Sequence, residues 1–284
     1  MKIGFLLANL DEDLPKFLKN IDYEFVIIEK SNFEEQKHLD NNVKLIRTLN
    51  FEKVIKDEDI RILFIDKSID YKNNNCINVK IVDNELEIYA FDYDFYAVRS
   101  KKVENQIYFP YFIDFNFFSN YSNKLKKYEK VRRITILTNS FDASLISLIE
   151  KLSELKKEIK DLIFTIYKAT TNQNYKSIVF ISRELNKEER AKLYFFSDLI
   201  ISIEDRKKEV LEAMSMKKIV ITNDGFLNTP NLSFGNIVNK VKRLLEFKEY
   251  EANKVIASEF DIENSSKIFE KELKKFIEIN AKNI

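Results

Sequence analysis

Residues 199–225 read LIISIEDRKKEVLEAMSMKKIVITNDG, and this stretch decides the fold of the chain. Two short runs rich in β-branched residues, 199–203 and 219–222, are typical of buried strands. Between them, residues 210–214 place apolar side chains at helical spacing. A strand, a helix and a second strand in this order form a βαβ unit with parallel strands, and such units bind ligands at the carboxyl ends of those strands. We therefore expect a functional site where Glu204 leaves the first strand.

Two glutamates lie near this expected ligand edge. Glu204 follows the first strand, and Glu212 lies inside the following helix, with seven residues between them. Carboxylates at these two places both reach a ligand that sits over the N-terminus of the helix. The alternative is a pair of ordinary glutamates, one capping the helix and the other facing solvent, because acidic residues are common in the first helical turn. For Glu212 we expect a solvent-facing side chain whose loss does not unfold the protein.

The same stretch resembles the donor-binding signature of GT-B fold retaining glycosyltransferases of the family-four type. In that family an acidic pair at this spacing precedes an alanine–methionine pair, a basic residue, a strand and an acidic residue near a glycine. This chain fills those places with Glu204 and Glu212, Ala213-Met214, Lys217-Lys218, residues 219–221 and Asp224-Gly225. It departs from the family between the two glutamates, where residues 205–211, without a glycine, replace a glycine-rich loop. The resemblance covers nearly the whole chain and is strong from residue 177 onward.

The resemblance implies a role for each glutamate, and the sequence adds a nearby turn. Glu204 is expected to contact the hydroxyl groups of the donor sugar, and Glu212 to accept hydrogen bonds from the ribose of the nucleotide. Asn139 and Ser140 lie in a strand-to-helix turn at the same edge, where their backbone amides are expected to cradle a phosphate. Capping of the following helix explains these two residues equally well.

Three cations are expected to hold the donor diphosphate. The resembling family carries an arginine and a lysine for this purpose in the first loop of its donor domain, but residues 139–144, NSFDAS, contain neither, and Asp142 there repels phosphate. Arg206, Lys207 and Lys208 precede the helix whose N-terminus attracts anions, so they are the expected replacement. The alternative is a solvated basic loop.

Strand and helix patterns alternate along the chain and predict an α/β fold. Together with the resemblance, this gives two doubly wound Rossmann-like domains that face a cleft, the GT-B arrangement. We assign residues 1–128 to an N-terminal, acceptor-side domain, residues 129–248 to a C-terminal, donor-binding domain, and residues 249–284 to helices that return to the N-terminal domain. The boundary is placed near Tyr128 because the surrounding segment is polar, rich in lysine and without a strand pattern.

Parts of the first domain give more local predictions. Residues 77–82 and 86–91 are two apolar runs separated by a short polar segment, and they predict a β-hairpin. His38, the single histidine, is expected in an exposed loop and is therefore not a general base. The aromatic run 108–118 is either a platform that stacks on a sugar or, as its spacing favours, part of the core.

The composition excludes several classes of protein. A single cysteine provides neither a disulfide framework nor a cysteine-based zinc site, so we expect no metal and no cofactor other than the nucleotide-sugar itself. The 47 basic and 46 acidic residues nearly cancel, which removes the overall field that favours nucleic acid. Neither a transmembrane segment nor a signal sequence is recognised, so we expect a cytoplasmic protein.

Two functions remain. The first is a glycosyltransferase of the hexosyltransferase type that moves a sugar from a nucleotide-sugar donor to a glycan, lipid or protein acceptor, with retention at the anomeric carbon. The second is a catalytically inactive GT-B-like protein that serves as the partner of another glycosyltransferase or as a glycan-binding subunit. The supply of cations near the leaving diphosphate discriminates between them, because catalysis of this transfer depends on charge aimed at that group. The sequence does not assign the residues that act directly in catalysis.

Overall fold

The computed structural model describes residues 1–90, 93–99, 102–103, 106–121, 131–168, 178–204, 206–232, 236–246 and 251–281. The chain divides into two compact units, Met1–Phe112 with Ile262–Ile284, and Ile113–Asp261. In its described residues, each unit has one β-sheet together with helices. The α/β class predicted from the sequence is confirmed.

The described part of the first unit contains a sheet of eight strands. They are β1 (Lys2–Leu7), β2 (Glu24–Lys30), β3 (Glu35–Asp40), β4 (Val43–Thr48), β5 (Ile60–Ile65), β6 (Ile77–Val82), β7 (Phe95–Val98) and β8 (Ile107–Tyr108). Their order is β3-β4-β2-β1-β5-β6-β7-β8, and every neighbouring pair is parallel except β3 with β4. The order reverses between β1 and β5, as it does in doubly wound folds.

The second unit contains a sheet of five strands in its described part. They are β9 (Arg132–Leu137), β10 (Leu162–Tyr167), β11 (Ile178–Ile181), β12 (Leu199–Ser202) and β13 (Ile219–Thr222). Their order is β11-β10-β9-β12-β13, and all neighbouring pairs are parallel. The parallel βαβ unit predicted from residues 199–225 is therefore confirmed.

Helices lie between many of the strands and also follow the last strand. They are α1 (Leu14–Leu18), α2 (Phe51–Asp57), α3 (Phe115–Tyr121), α4 (Ala143–Ser153), α5 (Lys187–Phe196), α6 (Lys207–Ser215), α7 (Ile237–Leu244), α8 (Glu251–Ser258) and α9 (Ile262–Asn280). Short 3₁₀ helices cover Glu85–Ala90, Glu154–Lys157 and Phe226–Asn228. Within the described residues, no helix combines the length and the apolar character that crossing a membrane requires.

Aromatic side chains fill the core of the first unit. Phe5 of β1 stacks on Phe64 of β5 with ring centroids 4.8 Å apart, and Phe109 meets Phe269 of α9 edge-on at 4.9 Å. All four rings are buried, as is Phe112. The aromatic run that contains Phe109 and Phe112 therefore supplies core residues, and α9 completes the core of the first unit.

The predicted β-hairpin in the first unit is wrong. β6 pairs in parallel with β5 and β7, and the segment expected to form the second hairpin strand begins as a 3₁₀ helix. The Asn84 side chain accepts the Leu86 backbone N–H at 3.0 Å, and the Glu87 carboxylate accepts the Asp83 backbone N–H at 3.2 Å. These local bonds satisfy backbone groups that a strand ladder would otherwise use.

The sequence pattern also misses two strands, β3 and β4. His38 lies in β3 and pairs with Lys44 of β4, so the predicted loop is wrong, although the histidine is exposed as expected. The polar sequence EQKHLD of β3 does not show the apolar alternation of a half-buried strand. Charged side chains are nevertheless common on a strand at the edge of a sheet, where they discourage pairing with other chains.

Helix α4 begins later than the turn at Asn139 and Ser140. One face of this helix is apolar and buried, and its N-cap is Asp142, whose side chain accepts the Leu145 backbone N–H at 2.9 Å. Asn139 and Ser140 precede the cap by two or more positions, so the capping role proposed for them is wrong. They lie instead in the turn that links β9 to α4.

The chain passes between the two units at places that differ from the predicted segments. The predicted boundary at Tyr128 lies outside the described residues, and the units divide between Phe112 and Ile113. The chain leaves the second unit at Asp261, which forms a parallel bridge with Ile113. The second unit is therefore entered and left at adjacent backbone positions. As a result, α8 belongs to the second unit and α9 to the first.

Candidate functional site

Glu204 joins two neighbouring strand ends of the second unit. It lies two residues after β12, and its carboxylate bonds to the turn that follows β9, the strand next to β12. Its Oε2 accepts the backbone N–H of Asn139 at 2.5 Å. Its Oε1 accepts the hydroxyl groups of Ser140 at 2.9 Å and Thr138 at 3.2 Å. The structure therefore brings Glu204, Asn139 and Ser140 together, because the carboxyl ends of adjacent parallel strands meet at one edge.

These bonds alter what the turn can offer a ligand. The Asn139 amide, expected to cradle a phosphate, already donates to the Glu204 carboxylate. Ser140 also lies close to Asp142, with 3.2 Å between its Oγ and Oδ2 of the aspartate. Two carboxylates at this turn oppose the approach of a phosphate. In this conformation, the turn binds the carboxylate of Glu204.

Glu212 lies in α6, as predicted, but it does not face solvent. Its relative exposure is 0%, and it pairs with Arg190 of α5 through Nε–Oε2 at 2.9 Å and Nη2–Oε1 at 2.8 Å. Tyr194 donates its hydroxyl to Oε2 at 3.0 Å. Burial raises the pKa of Glu212, and the Arg190 guanidinium opposes that rise. The expectation of a solvent-facing, dispensable glutamate is therefore wrong.

Arg190 is a residue that the sequence reading missed. It is buried, and its Nη1 also donates to the Leu185 carbonyl at 3.0 Å. Its position four residues before Tyr194 places both side chains on one face of α5. The sequence signal for Arg190 is a cation on the same helix face as a buried tyrosine, because a buried cation needs an acidic partner.

Arg206 holds three strand ends together and is not the exposed loop cation that the sequence predicted. It is 4% exposed, and its Nη1 donates to the Thr138 carbonyl at 2.9 Å and to Oδ1 of Asn139 at 3.2 Å. Its Nη2 pairs with Glu209, and its guanidinium carbon lies 5.0 Å from the ring centroid of Tyr167 at the end of β10. Burial raises the pKa of Glu209, but Arg206 more than offsets it and holds this pKa below its usual value. Arg206 is therefore engaged within the second unit.

Lys207 and Lys208 differ from Arg206 in their surroundings. Both are half-buried in the first turn of α6. The Lys207 Nζ lies 5.6 Å from the ring centroid of Phe226, which follows β13. The positive charge of Lys208 lowers the pKa of Glu212, although less than Arg190 does. Both lysines therefore lie at the carboxyl edge of the sheet, in the helix and not before it, and their binding of a donor diphosphate stays a prediction.

Lys168 is a further cation at this edge that the sequence reading did not select. It follows β10 directly, has a left-handed backbone with φ of 71°, and pairs with Glu184 at 2.6 Å. Its charge also contributes to the lowered pKa of Glu209. A lysine at a strand end is common on protein surfaces, so its sequence position alone gave no signal.

Solved structures that resemble this chain provide the comparison with known proteins. No model of a protein family matches this chain, and no curated protein sequence does. The fold is similar to that of a trehalose-6-phosphate synthase, OtsA, with a TM-score of 0.69, 9% identity, and coverage of 97% of this chain and 99% of the other. It is also similar to HepE of Anabaena in complex with UDP and glucose, with a TM-score of 0.65, 13% identity, and coverage of 97% and 100%. A third similar structure is WaaG, a glycosyltransferase involved in lipopolysaccharide biosynthesis, with a TM-score of 0.52, 10% identity, and coverage of 98% and 99%.

These likenesses extend over almost the full length of both chains in each comparison. They show that this chain has the fold of the GT-B glycosyltransferases, which is the resemblance predicted from residues 199–225. Sequence identities of 9–13% show only that the fold is shared. The chemistry is therefore argued from the residues at the site.

Proposed function

We propose that the protein is a glycosyltransferase that transfers a sugar from a nucleotide-sugar donor, bound at the carboxyl edge of the second sheet, to an acceptor. The observation that carries this proposal is the position of Glu204, whose carboxylate links the ends of β9 and β12 at the edge where ligands of doubly wound folds bind. Retention at the anomeric carbon and a reaction without metal belong to the proposal through the family resemblance.

Glu204 retains capacity for a sugar hydroxyl in this proposal. A carboxylate offers about four lone-pair positions, and the donors on Thr138, Asn139 and Ser140 use at most three of them, since the two hydroxyl groups also face the Ser140 carbonyl and the Asp142 carboxylate. A hydroxyl group of the donor sugar takes the fourth. The three existing bonds fix the orientation of the carboxylate before the sugar arrives, which is what a binding group needs in order to act without reorganisation.

The leaving diphosphate requires positive charge as it accumulates electrons during the transfer. Lys207 and Lys208 in the first turn of α6 supply it in this proposal, with Lys168 at the end of β10 as a third cation. Arg206 acts indirectly, because its buried guanidinium holds the β9 turn that in turn holds Glu204. The ribose contact assigned to Glu212 is not retained, since Arg190 and Tyr194 already bond to its carboxylate.

The proposal is tested by calorimetry and by donor cleavage. UDP-glucose is the first donor to try, because the HepE structure contains UDP and glucose, and other nucleoside diphosphates and their sugars follow. We expect Glu204→Ala to lower turnover by about 10²-fold, since a preorganised polar contact to the reacting sugar is removed. Glu154→Ala is the matched control, because Glu154 is an exposed glutamate of the same unit away from this edge. A chelator is expected to leave the rate unchanged.

Failure to bind any nucleoside diphosphate, together with no cleavage of any donor, would overturn the proposed function. Equal rates for Glu204→Ala and the wild type would remove Glu204 from the site while leaving the transferase proposal standing. These two outcomes are separable because the first concerns the wild type alone.

A second candidate is a GT-B-like subunit without catalysis of its own, which binds a glycan or a partner glycosyltransferase. It is favoured by the way in which charged groups at the site satisfy each other, Arg190 with Glu212 and Arg206 with Glu209. Wild-type protein that binds a glycan but cleaves no donor would support this candidate.

A further inference from the structure

A second group of charged side chains lies at the carboxyl edge of the sheet in the first unit. Lys67, Asp83 and Arg99 follow β5, β6 and β7, which are consecutive neighbours in the sheet. Ligands of doubly wound sheets bind at this edge. The group lies in a different unit from Glu204, and none of its residues is among those of the donor site proposed above.

Asp83 is held in place by its neighbours. Its side chain is 13% exposed and pairs through Oδ2 with Lys67. Its Oδ1 accepts the Tyr111 hydroxyl at 3.1 Å. Burial raises the pKa of Asp83, but Lys67, Arg99 and Tyr111 outweigh it and keep this pKa below its usual value. The carboxylate is therefore charged and its two oxygens already have donors.

Arg99 lies against two aromatic rings of its own unit. Its guanidinium carbon lies 4.9 Å from the ring centroid of Phe109 and 5.5 Å from that of Tyr111. Among the residues that the structure describes, no side chain forms an ion pair or a hydrogen bond with the Arg99 guanidinium. Stacking restrains the plane of a guanidinium but leaves the N–H groups at its edge available to an acceptor.

We propose that Arg99 forms an oxyanion-binding subsite that takes the phosphate or carboxylate group of a small molecule. A planar guanidinium with free edges binds such groups through two parallel hydrogen bonds, and restraint by Phe109 and Tyr111 lowers the conformational entropy lost on binding. Lys67, through its bond to Asp83, is a positioning residue for Tyr111 and hence for the stack.

Among the described side chains of this group, positive and negative charges are equal in number. Lys67 and Arg99 are matched by Asp83 and Glu87, whose carboxylate accepts the Asp83 backbone N–H at 3.2 Å. A diffuse positive field is therefore not the source of binding. Recognition depends on the directional N–H groups of Arg99, so replacing them with a point charge of the same sign weakens it.

The test uses the full-length protein and calorimetric titration with inorganic phosphate, glucose 6-phosphate, glucuronate and glucose. We expect glucose 6-phosphate or glucuronate to bind at least about tenfold more tightly than glucose, and the stronger of the two identifies phosphate or carboxylate as the preferred group. Arg99→Gln should lose that preference, and Arg99→Lys, which keeps the charge, should retain only part of it. Arg61→Gln is the matched control, because Arg61 lies at the opposite end of β5 and pairs with Asp59.

Unchanged anion binding in Arg99→Gln would overturn the proposal, and so would a wild type that binds glucose as tightly as the anions or binds no anion. If Arg99→Gln fails to fold, Arg99→Lys decides, since equal affinity in that variant contradicts the directional role. A variant with both Lys207→Gln and Lys208→Gln separates the two sites: it should keep the Arg99-dependent binding even if the proposed donor site is lost.

Discussion

Arg190 and Glu212 form a two-bond ion pair that joins α5 to α6 inside the second unit. Each oxygen of the carboxylate accepts one N–H group of the guanidinium, at 2.8 Å and 2.9 Å, and Tyr194 adds a third bond. Both members of the pair are buried, the glutamate completely. Removing one partner therefore leaves a buried charge without compensation.

Glu212→Ala is expected to lower the free energy of unfolding of the second unit by about 3–5 kcal/mol, because the buried Arg190 guanidinium loses the carboxylate that balances its charge. The measurement is urea unfolding at neutral pH followed by circular dichroism. Glu154→Ala should change the same quantity by less than about 0.5 kcal/mol, since it removes an exposed glutamate.

The double variant Arg190→Met with Glu212→Leu should be more stable than Glu212→Ala alone, because apolar groups of similar size replace the whole pair. If Glu212→Ala is as stable as the Glu154→Ala control, the Arg190–Glu212 pair does not contribute to the free energy of unfolding.

Arg206 is expected to have a structural role, and Lys207 and Lys208 a functional one. Arg206→Gln should lower the free energy of unfolding by about 1.5–3 kcal/mol, since it breaks charge-assisted bonds that join the β9 turn to α6. The pair of changes Lys207→Gln and Lys208→Gln should lower stability by less than Arg206→Gln does, because both lysines are half-buried whereas Arg206 is buried. Under the proposed function the lysine changes instead lower donor turnover by about 10²-fold.

Thermal unfolding and donor cleavage, measured on the same preparations, check this separation. Lysine variants with undiminished cleavage would move the search for the diphosphate-binding cation to Lys168. An Arg206→Gln protein with wild-type stability would contradict the structural role.

Glu209 is expected to give the second unit a pH-dependent stability. Its pKa is lowered in the folded state, so its pairing with Arg206 stabilises the fold above the ordinary glutamate pKa of about 4.3. That stability is lost as the pH falls through the lowered folded-state pKa, because the carboxylate becomes protonated in both states.

The check is the melting temperature of the wild type and Glu209→Gln between neutral pH and pH of about 3. The wild type should melt higher at neutral pH, and the gap should shrink as the pH falls below the ordinary glutamate range. A gap that stays constant over this range would mean that the charge of Glu209 does not stabilise the fold.

Gly4→Ala is expected to destabilise the first unit. A Cβ atom at this position would lie 2.8 Å from Cδ1 of Leu63 and 3.0 Å from Cγ2 of Ile60, both of which are buried. Overpacking of this kind costs about 1–3 kcal/mol, measurable by urea unfolding. Adding Leu63→Val, which removes the nearest atom, should cost less than the sum of the two single changes. Simple additivity would mean that the backbone moves and relieves the contact.

The sequence predicted the parallel βαβ unit because its two strands are short, β-branched and buried on both faces, a pattern with few alternatives. It missed β3 because EQKHLD is polar, and its pairing depends on β4 and not on burial of its own side chains. The hairpin was wrong because Asn84 and Glu87 bond locally to the backbone, and no apolar pattern reports such bonds.

Part of the candidate site followed from topology. Glu204 meets Asn139 and Ser140 because adjacent parallel strands end at the same edge, which the strand assignments imply. The pairing of Glu212 with Arg190 depends on how α5 and α6 are rotated against each other, and the sequence does not encode that rotation in any local signal. The sequence also gives no local signal that Arg206 is buried whereas its neighbour Lys207 is only half-buried.

The bridge between Ile113 and Asp261 has a consequence for how the protein is made. The second unit is one uninterrupted piece of chain, whereas the first needs α9, whose Phe269 lies 4.9 Å from Phe109 and 5.7 Å from Phe17. During synthesis, the whole second unit leaves the ribosome before α9 does. Until α9 is synthesised, these aromatic rings of the first unit lack the helix that covers them. The complete second unit is synthesised during that interval. The interval in which the chain is most exposed to aggregation or to chaperones is set by the length of the inserted unit.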